Sequence, residues 1–171
     1  QTLTDRIQRA YPIMVVVCLE TQVGFSAAQL LFQGLKPYGL PVVCGGAYAT
    51  VYPMACLSAG AHYVLQGNDA RALVFLADAL TGRGEDPARI PGLSYRDGAV
   101  FVLKEAVFSR GLEHLPPPCL QSSCVYRIQS DTIKQEDPER SARPYTVFLS
   151  RDCPYQCAGC AQPMLRQMAQ G

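Results

Sequence analysis

Three short apolar runs constrain the fold of this chain more than any other feature: Ile13-Met-Val-Val-Val-Cys-Leu19, Val42-Val-Cys44 and His62-Tyr-Val-Leu65. Continuous rather than alternating hydrophobicity marks strands buried on both faces, as in a parallel sheet. Stretches of helical spacing lie between and after them. Phe25, Ala28, Phe32 and Leu35 form one apolar face, stopped by Pro37 and Gly39. Pro53 opens a second helix and Gly60 lies just past its end. Asn68 or Asp69 caps a third, with the face Ala70, Leu73, Val74, Ala77 and Leu80 and a stop at Gly82. The order βαβαβα with right-handed crossovers predicts an α/β fold, an open parallel sheet of flavodoxin or Rossmann type covered by helices on both faces. Three strands make a thin sheet for this architecture, so a further strand and helix are expected upstream of residue 1.

From Gly92 the period changes. Leu93-Ser-Tyr-Arg96 and Ala99-Val-Phe-Val-Leu103 flank Asp97-Gly98, a strong hairpin signal because both turn residues accept positive φ. Residues 105 to 145 hold Pro116-Pro-Pro118 and scattered charges without a sustained period, and read as a linker. Tyr145-Thr-Val-Phe-Leu149 then reads as a strand that delivers the chain into Cys153. The expected organisation is an α/β domain over 1–83, a hairpin and linker over 84–144, and the start of a second domain over 145–171.

Composition removes several function classes. Across 171 residues, 15 basic and 14 acidic side chains leave a net charge of +1, without the basic footprint of a nucleic-acid binder. No apolar run approaches the ~20 residues that span a bilayer, since Ile13–Leu19 is closed by Glu20. The opening Gln1-Thr-Leu-Thr-Asp-Arg lacks the basic-then-apolar pattern of a signal peptide. Neither a nucleic-acid nor a membrane partner is expected, and the expected location is the cytoplasm. There 8 cysteines stay reduced, so clustered ones read as metal or redox ligands rather than disulfides. The chain starts without Met and stops at Gly171, soon after its last cysteine, and is expected to be a piece of a longer protein.

Cys153, Cys157 and Cys160 stand in C-x3-C-x2-C spacing within Ser150-Arg-Asp-Cys-Pro-Tyr-Gln-Cys-Ala-Gly-Cys160. Three thiolates on one short loop can hold three irons of a [4Fe–4S] cube and leave the fourth iron open to an external ligand. A structural zinc site is the alternative, but it needs a fourth ligand and no Cys or His follows Cys160. The spacing, the strand before it and the Cys-Pro-Tyr start resemble the radical S-adenosylmethionine superfamily. That resemblance implies an open iron that binds and cleaves S-adenosylmethionine, with reducing electrons from a donor such as flavodoxin or ferredoxin. Two positions depart from the family pattern: Gly159 replaces the aromatic residue usual before the last cysteine, and Asp152 replaces a common glycine. Elsewhere, Cys18, Cys44 and Cys56 lie in apolar segments and read as small core hydrophobes, and Cys119 and Cys124 as inert linker residues.

In an open parallel sheet, ligands bind beyond the carboxyl ends of the strands. Those ends read Glu20-Thr21, Gly45-Gly-Ala-Tyr-Ala-Thr50 and Gln66-Gly-Asn-Asp69. Paired glycines let a backbone approach a large ligand, although an ordinary βα turn would use them too. The series Val42 to Thr50, Ala61 to Gly67, Ile90 to Gly98, Leu112-Glu-His-Leu-Pro116 and the cysteine loop, in unbroken order over about residues 5 to 165, resembles the cobalamin-binding branch of the radical S-adenosylmethionine family. The resemblance implies that Gly45, Gly46, Ala47 and Tyr48 cradle the cobalamin, with Leu19, Glu20 and Thr21 beside them and Gly67 on the third loop. His62 reads as a packed histidine rather than a cobalt ligand, and His114 as solvated.

The family's activity follows as an expectation. With cobalamin, S-adenosylmethionine and the cluster as cofactors, such an enzyme passes a methyl group to an unactivated carbon of a small-molecule substrate, although some relatives rearrange or cyclise theirs. The substrate-binding barrel is expected beyond Gly171, and this piece alone is expected to be inactive. Two rival readings remain: a methylthiotransferase-like enzyme, whose α/β domain brings three further cluster cysteines at strand ends, and a non-catalytic flavodoxin-like module with a metal-binding loop.

Overall fold

The computed structural model describes residues 3–109, 125–129, 132–135 and 153–170. The chain divides into two compact units. One holds the five-stranded sheet with its helices and the cysteine loop; the other holds an N-terminal helix and a small hairpin.

The apolar runs become β1 (Val15–Cys18), β2 (Val42–Gly45) and β3 (Tyr63–Leu65). They pair in parallel, Val15 against Val42 and Val43 against Tyr63. Helix α2 (Phe25–Leu35) buries Ala28, Phe32 and Leu35, three of the four positions its spacing marked, and Gly39 at φ 62° takes the chain out of the turn behind it. The second crossover is split where one helix was expected. Short α3 (Ala47–Val51) stops at Tyr52, which sits at φ −123° and ψ 56°, and α4 (Pro53–Ala59) starts at the next residue. The pyrrolidine ring of Pro53 disfavours helical backbone at the residue before it, so the break belongs there. Gly60, at φ 119°, closes α4.

Helix α5 (Arg71–Leu80) departs from its predicted face. It buries Ala72 and Leu76 and packs Leu73 and Leu80, while Val74 is 60% exposed. The cluster it joins, with Val43, Tyr63, Leu65, Ile90 and Leu93, sets the rotation of the helix over the sheet, and spacing alone had placed that rotation wrongly. Cys44, one residue beyond Val43, faces the opposite side and meets Cys56 of α4. Helices therefore lie on both faces, but coverage fails at β1, where Val16 is 45% exposed although it pairs with the buried Val43.

Strands β4 (Leu93–Asp97) and β5 (Val100–Val102) form the expected hairpin with its turn moved by one residue, to Gly98-Ala99, where Gly98 alone takes positive φ. Rather than standing apart from the α/β domain, the hairpin completes the sheet: β4 pairs antiparallel with β3, Leu93 opposite Leu65, and the order is β1-β2-β3-β4-β5.

In the second unit, α1 (Leu3–Ala10) and the antiparallel pair β6 (Tyr126–Gln129) and β7 (Thr132–Gln135) are described, with the Arg6 guanidinium 3.8 Å from the Tyr126 ring centre. Reading 105–145 as linker missed this hairpin, whose strands show only the weak alternation Tyr126, Ile128 and Ile133. The strand expected over 145–149, the proline run, His114, Cys119 and Cys124 lie outside the described residues. Among the described residues no helix is long and apolar enough to cross a membrane.

Candidate functional site

Parallel pairing brings the carboxyl ends of β1, β2 and β3 to one edge of the sheet, so residues far apart in sequence meet there. Leu19 donates its N–H to Gly45 O (2.7 Å), and its carbonyl accepts the N–H of Tyr48 (2.9 Å). The loop after β1 thus clasps the turn after β2. Gly46 is the pivot, at φ 97°; an added Cβ would stand 2.5 Å from Leu19 O, an approach only glycine allows. Glu20 reaches across, accepting from the Ala47 N–H (3.3 Å) through Oε2 and from the Cys18 thiol (3.0 Å) through Oε1. Thr21 is exposed and extended, leading into the turn before α2.

Gly45 differs from Gly46. Its φ is ordinary and nothing lies within 4 Å of where its Cβ would be, so neither conformation nor packing demands glycine. An unfilled space over the last residue of a buried strand suits the close approach of a ligand. Beside it, the Tyr48 ring lies 5.2 Å from Phe25 and 5.1 Å from Tyr52, an aromatic row along the turn. Burial, with smaller contributions from Cys56 and Tyr52, raises the Tyr48 phenol above its ordinary range and keeps it protonated.

Gly67, the candidate on the third loop, is held by the chain itself. A Cβ there would strike the Val107 carbonyl, and its φ is 100°. Its N–H donates to Thr50 Oγ1 (3.1 Å), while the neighbouring Asn68 N–H and the Val107 N–H bond across to Val107 O and Gln66 O. The glycine is thus accounted for by chain packing.

The histidine and the upstream cysteines sort clearly. His62 precedes β3 at the opposite edge of the sheet, with Nδ1 accepting from the Val42 N–H (3.1 Å); burial, then the Arg96 charge, lowers its pKa. Cys44 and Cys56 are fully buried core residues, as read from sequence. The hydrogen bond with Cys56, then burial, hold the Cys44 thiol protonated well above the ordinary range. Cys18 is not a core hydrophobe: it is exposed at the end of β1, because its side lies where α5 gives no cover.

Cys153 is half-buried, and Cys157 and Cys160 are exposed. A tight turn joins the last two, the Cys160 N–H donating to Cys157 O (3.1 Å), and α6 (Gln162–Gln170) follows at once. That helix lies against α3, the helix that leaves Gly46. Three soft thiol donors on eight residues match the ligand chemistry of an iron–sulfur cluster with one open iron. Among the described residues, however, no three potential ligands are gathered within reach of a metal ion. The donor set, three thiols on one short loop, suits the group.

Sequence reasoning missed Thr50, Gln66 and Ser94, the buried polar side chains among the described residues. Thr50 was part of the quoted turn, and a glutamine directly after a buried strand is a legible anomaly; nothing in the sequence marked Ser94.

The fold is an open α/β sheet of Rossmann-like type with a candidate ligand edge and a cysteine loop in one unit. No protein-family description and no curated protein matches the chain. Among solved structures it is similar to the radical S-adenosylmethionine methyltransferase TsrM from Kitasatospora setae with tryptophan substrate and the S-adenosylmethionine analogue aza-SAM bound, at 21% identity and a TM-score of 0.53, over 60% of this chain and 21% of that one. The same enzyme with cobalamin and a [4Fe-4S] cluster bound matches at 23% identity and a TM-score of 0.48, over 54% of this chain and 19% of that one. The likeness is one of fold, and the chain spans about a fifth of the length of the structures it matches.

Proposed function

We propose that this chain is part of a cobalamin-dependent radical S-adenosylmethionine enzyme, most consistent with a methyltransferase acting on an unactivated carbon of a small molecule. Cys153, Cys157 and Cys160 would hold the [4Fe–4S] cluster, and Gly45, Gly46, Ala47 and Tyr48, with Leu19, Glu20 and Thr21, would face the cobalamin. The observation that carries the reading is the meeting of the two helices: the one leaving the cysteine loop lies against the one leaving the double-glycine turn. Likeness of fold to part of a radical S-adenosylmethionine methyltransferase supports it. When bound, the cluster and cobalamin supply the electron and methyl chemistry, and the protein positions them and excludes water. For this chain that means a buried strand end at Gly45 with space where a Cβ would stand, a pivot without Cβ at Gly46, and an aromatic wall at Tyr48.

Anaerobic reconstitution with iron and sulfide, then titration with hydroxocobalamin, tests this. About four irons per chain, the brown absorbance of a cluster and a corrinoid that co-elutes with the protein are expected. Stoichiometric zinc in the loop, or a chain that stays colourless under argon, would overturn it. The methylthiotransferase-like reading needs cluster cysteines at strand ends, and Cys44, a buried free thiol hydrogen-bonded to Cys56, is not placed to serve. An iron count near eight would revive it.

A further inference from the structure

Thr50, Gln66 and Ser94 belong to different elements, yet they form one hydrogen-bonded chain. The Lys104 N–H donates to Ser94 Oγ (2.8 Å), and Ser94 donates to Gln66 Oε1. Gln66 Nε2 donates to Thr50 O (3.3 Å), the Thr50 hydroxyl donates to Gly46 O (2.9 Å), and the Gly67 N–H donates to Thr50 Oγ1 (3.1 Å). The three side chains are 1%, 5% and 0% exposed, and among the described residues no buried side-chain polar atom lacks a partner. Burying three polar groups in a small sheet costs stability unless each finds partners, and these find them in one another and in the backbone of the loops at the carboxyl edge. An apolar core would have served the fold alone.

We propose that Thr50, Gln66 and Ser94 are positioning residues that lock the turn at Gly46 with the start of α3 and the loops at 66–68 and 104–107 into one platform on which a corrinoid rests. None of the three lies at the surface, so each acts through the backbone it fixes: Thr50 through Gly46 and Gly67, Ser94 through Gln66 and Lys104. This rests on the cobalamin reading of the edge, and it explains why a sheet with a widely open edge can present a ligand with preset loops.

The test uses the full chain and hydroxocobalamin, with Thr50→Val, Thr50→Ser and Ser94→Ala. Thr50→Val keeps shape and removes the hydroxyl. It should weaken corrinoid binding about tenfold, while Thr50→Ser should restore nearly all of it. Ser94→Ala, remote from any ligand contact, should weaken binding by about two- to fivefold. Amide exchange read residue by residue is the second measurement: Ser94→Ala should speed exchange at Gly67, beyond its own partner Lys104. Wild-type-like binding by Thr50→Val, or a Ser94→Ala effect confined to Lys104, overturns the proposal. Should Thr50→Val not fold, Ser94→Ala alone decides. Should the wild-type chain bind no corrinoid, the functional reading falls, and exchange at Gly67 still shows whether the loops are coupled.

Discussion

The carboxyl edge of the sheet and the cysteine loop hold the two halves of the proposed chemistry, and they are built by opposite means. At the edge, backbone groups of all three loops are bonded to the protein: Leu19 to Gly45 and Tyr48, Gly67 to Thr50, Val107 to Gln66. In the loop, a turn bond joins Cys160 to Cys157, both of those residues are exposed, and among the described residues no three potential ligands are gathered. An organic ligand with a large rigid ring gains from a surface made in advance, because ordering loops at the moment of binding subtracts from affinity. A metal cluster supplies its own geometry, and its bonds are strong enough to order a short loop as it assembles. On the proposed reading, the comparison separates a site made in advance from one that its cofactor would complete.

Changes to the sulfurs should have the largest and most local effect. Cys157→Ala should abolish the cluster absorbance after reconstitution and leave hydroxocobalamin binding and the melting temperature unchanged. A cluster band of wild-type intensity in this variant would end the ligand assignment, and a large fall in melting temperature would show that the loop is part of the fold after all.

Next come the glycines, which divide the edge into parts needed by the protein and parts left for a ligand. Gly46→Ala drives a Cβ onto Leu19 O at 2.5 Å from a φ of 97°, and should cost roughly 2–4 kcal/mol of stability, read as a lower midpoint in urea. Gly67→Ala meets the Val107 carbonyl and should behave alike. Gly45→Ala meets nothing. It should leave the urea midpoint within about 0.5 kcal/mol and weaken corrinoid binding about tenfold. If Gly45→Ala destabilised the chain as Gly46→Ala does, the space over β2 would belong to the fold and the edge would lose its best claim to a ligand.

These variants also mark what could be read in the sequence. The three apolar runs gave β1, β2 and β3 within a residue or two, and Gly39, Gly60 and Gly82 fall where φ turns positive. Residue type and local spacing are enough for that. Rotation of α5 was not legible, because both candidate faces are apolar and only the cluster of Ile90 and Leu93 chooses between them. Exposure of Cys18 was not legible either, since Val15–Cys18 reads as buried on both sides and the lack of cover on one is a property of the assembled layers. The candidate residues of the first two strand ends were named from a motif, and the sheet does bring them together. The hydroxyl and amide groups that fix them come from α3 (Thr50), the residue after β3 (Gln66) and β4 (Ser94), and only the fold joins those.

Cys18 offers the smallest and most discriminating test, because it is an exposed thiol on the preformed side of the comparison. The residue is exposed, yet partial loss of hydration at the sheet edge, then the hydrogen bond to Glu20 and the carboxylate charge, raise its pKa from 9.0 to about 11. A thiol raised in the folded state stabilises the fold fully below about pH 9, and that contribution is lost as pH rises through about 11. Alkylation of Cys18 by iodoacetamide, followed by mass spectrometry, should accordingly show a midpoint near pH 11. In Glu20→Gln the midpoint should move down without reaching the ordinary value, since hydration loss is the largest cause and survives the change. A midpoint unmoved by Glu20→Gln would mean that the carboxylate does not hold the thiol in solution. Glu20 would then be free to swing off the Ala47 N–H, and the edge would be less preformed than the glycines make it.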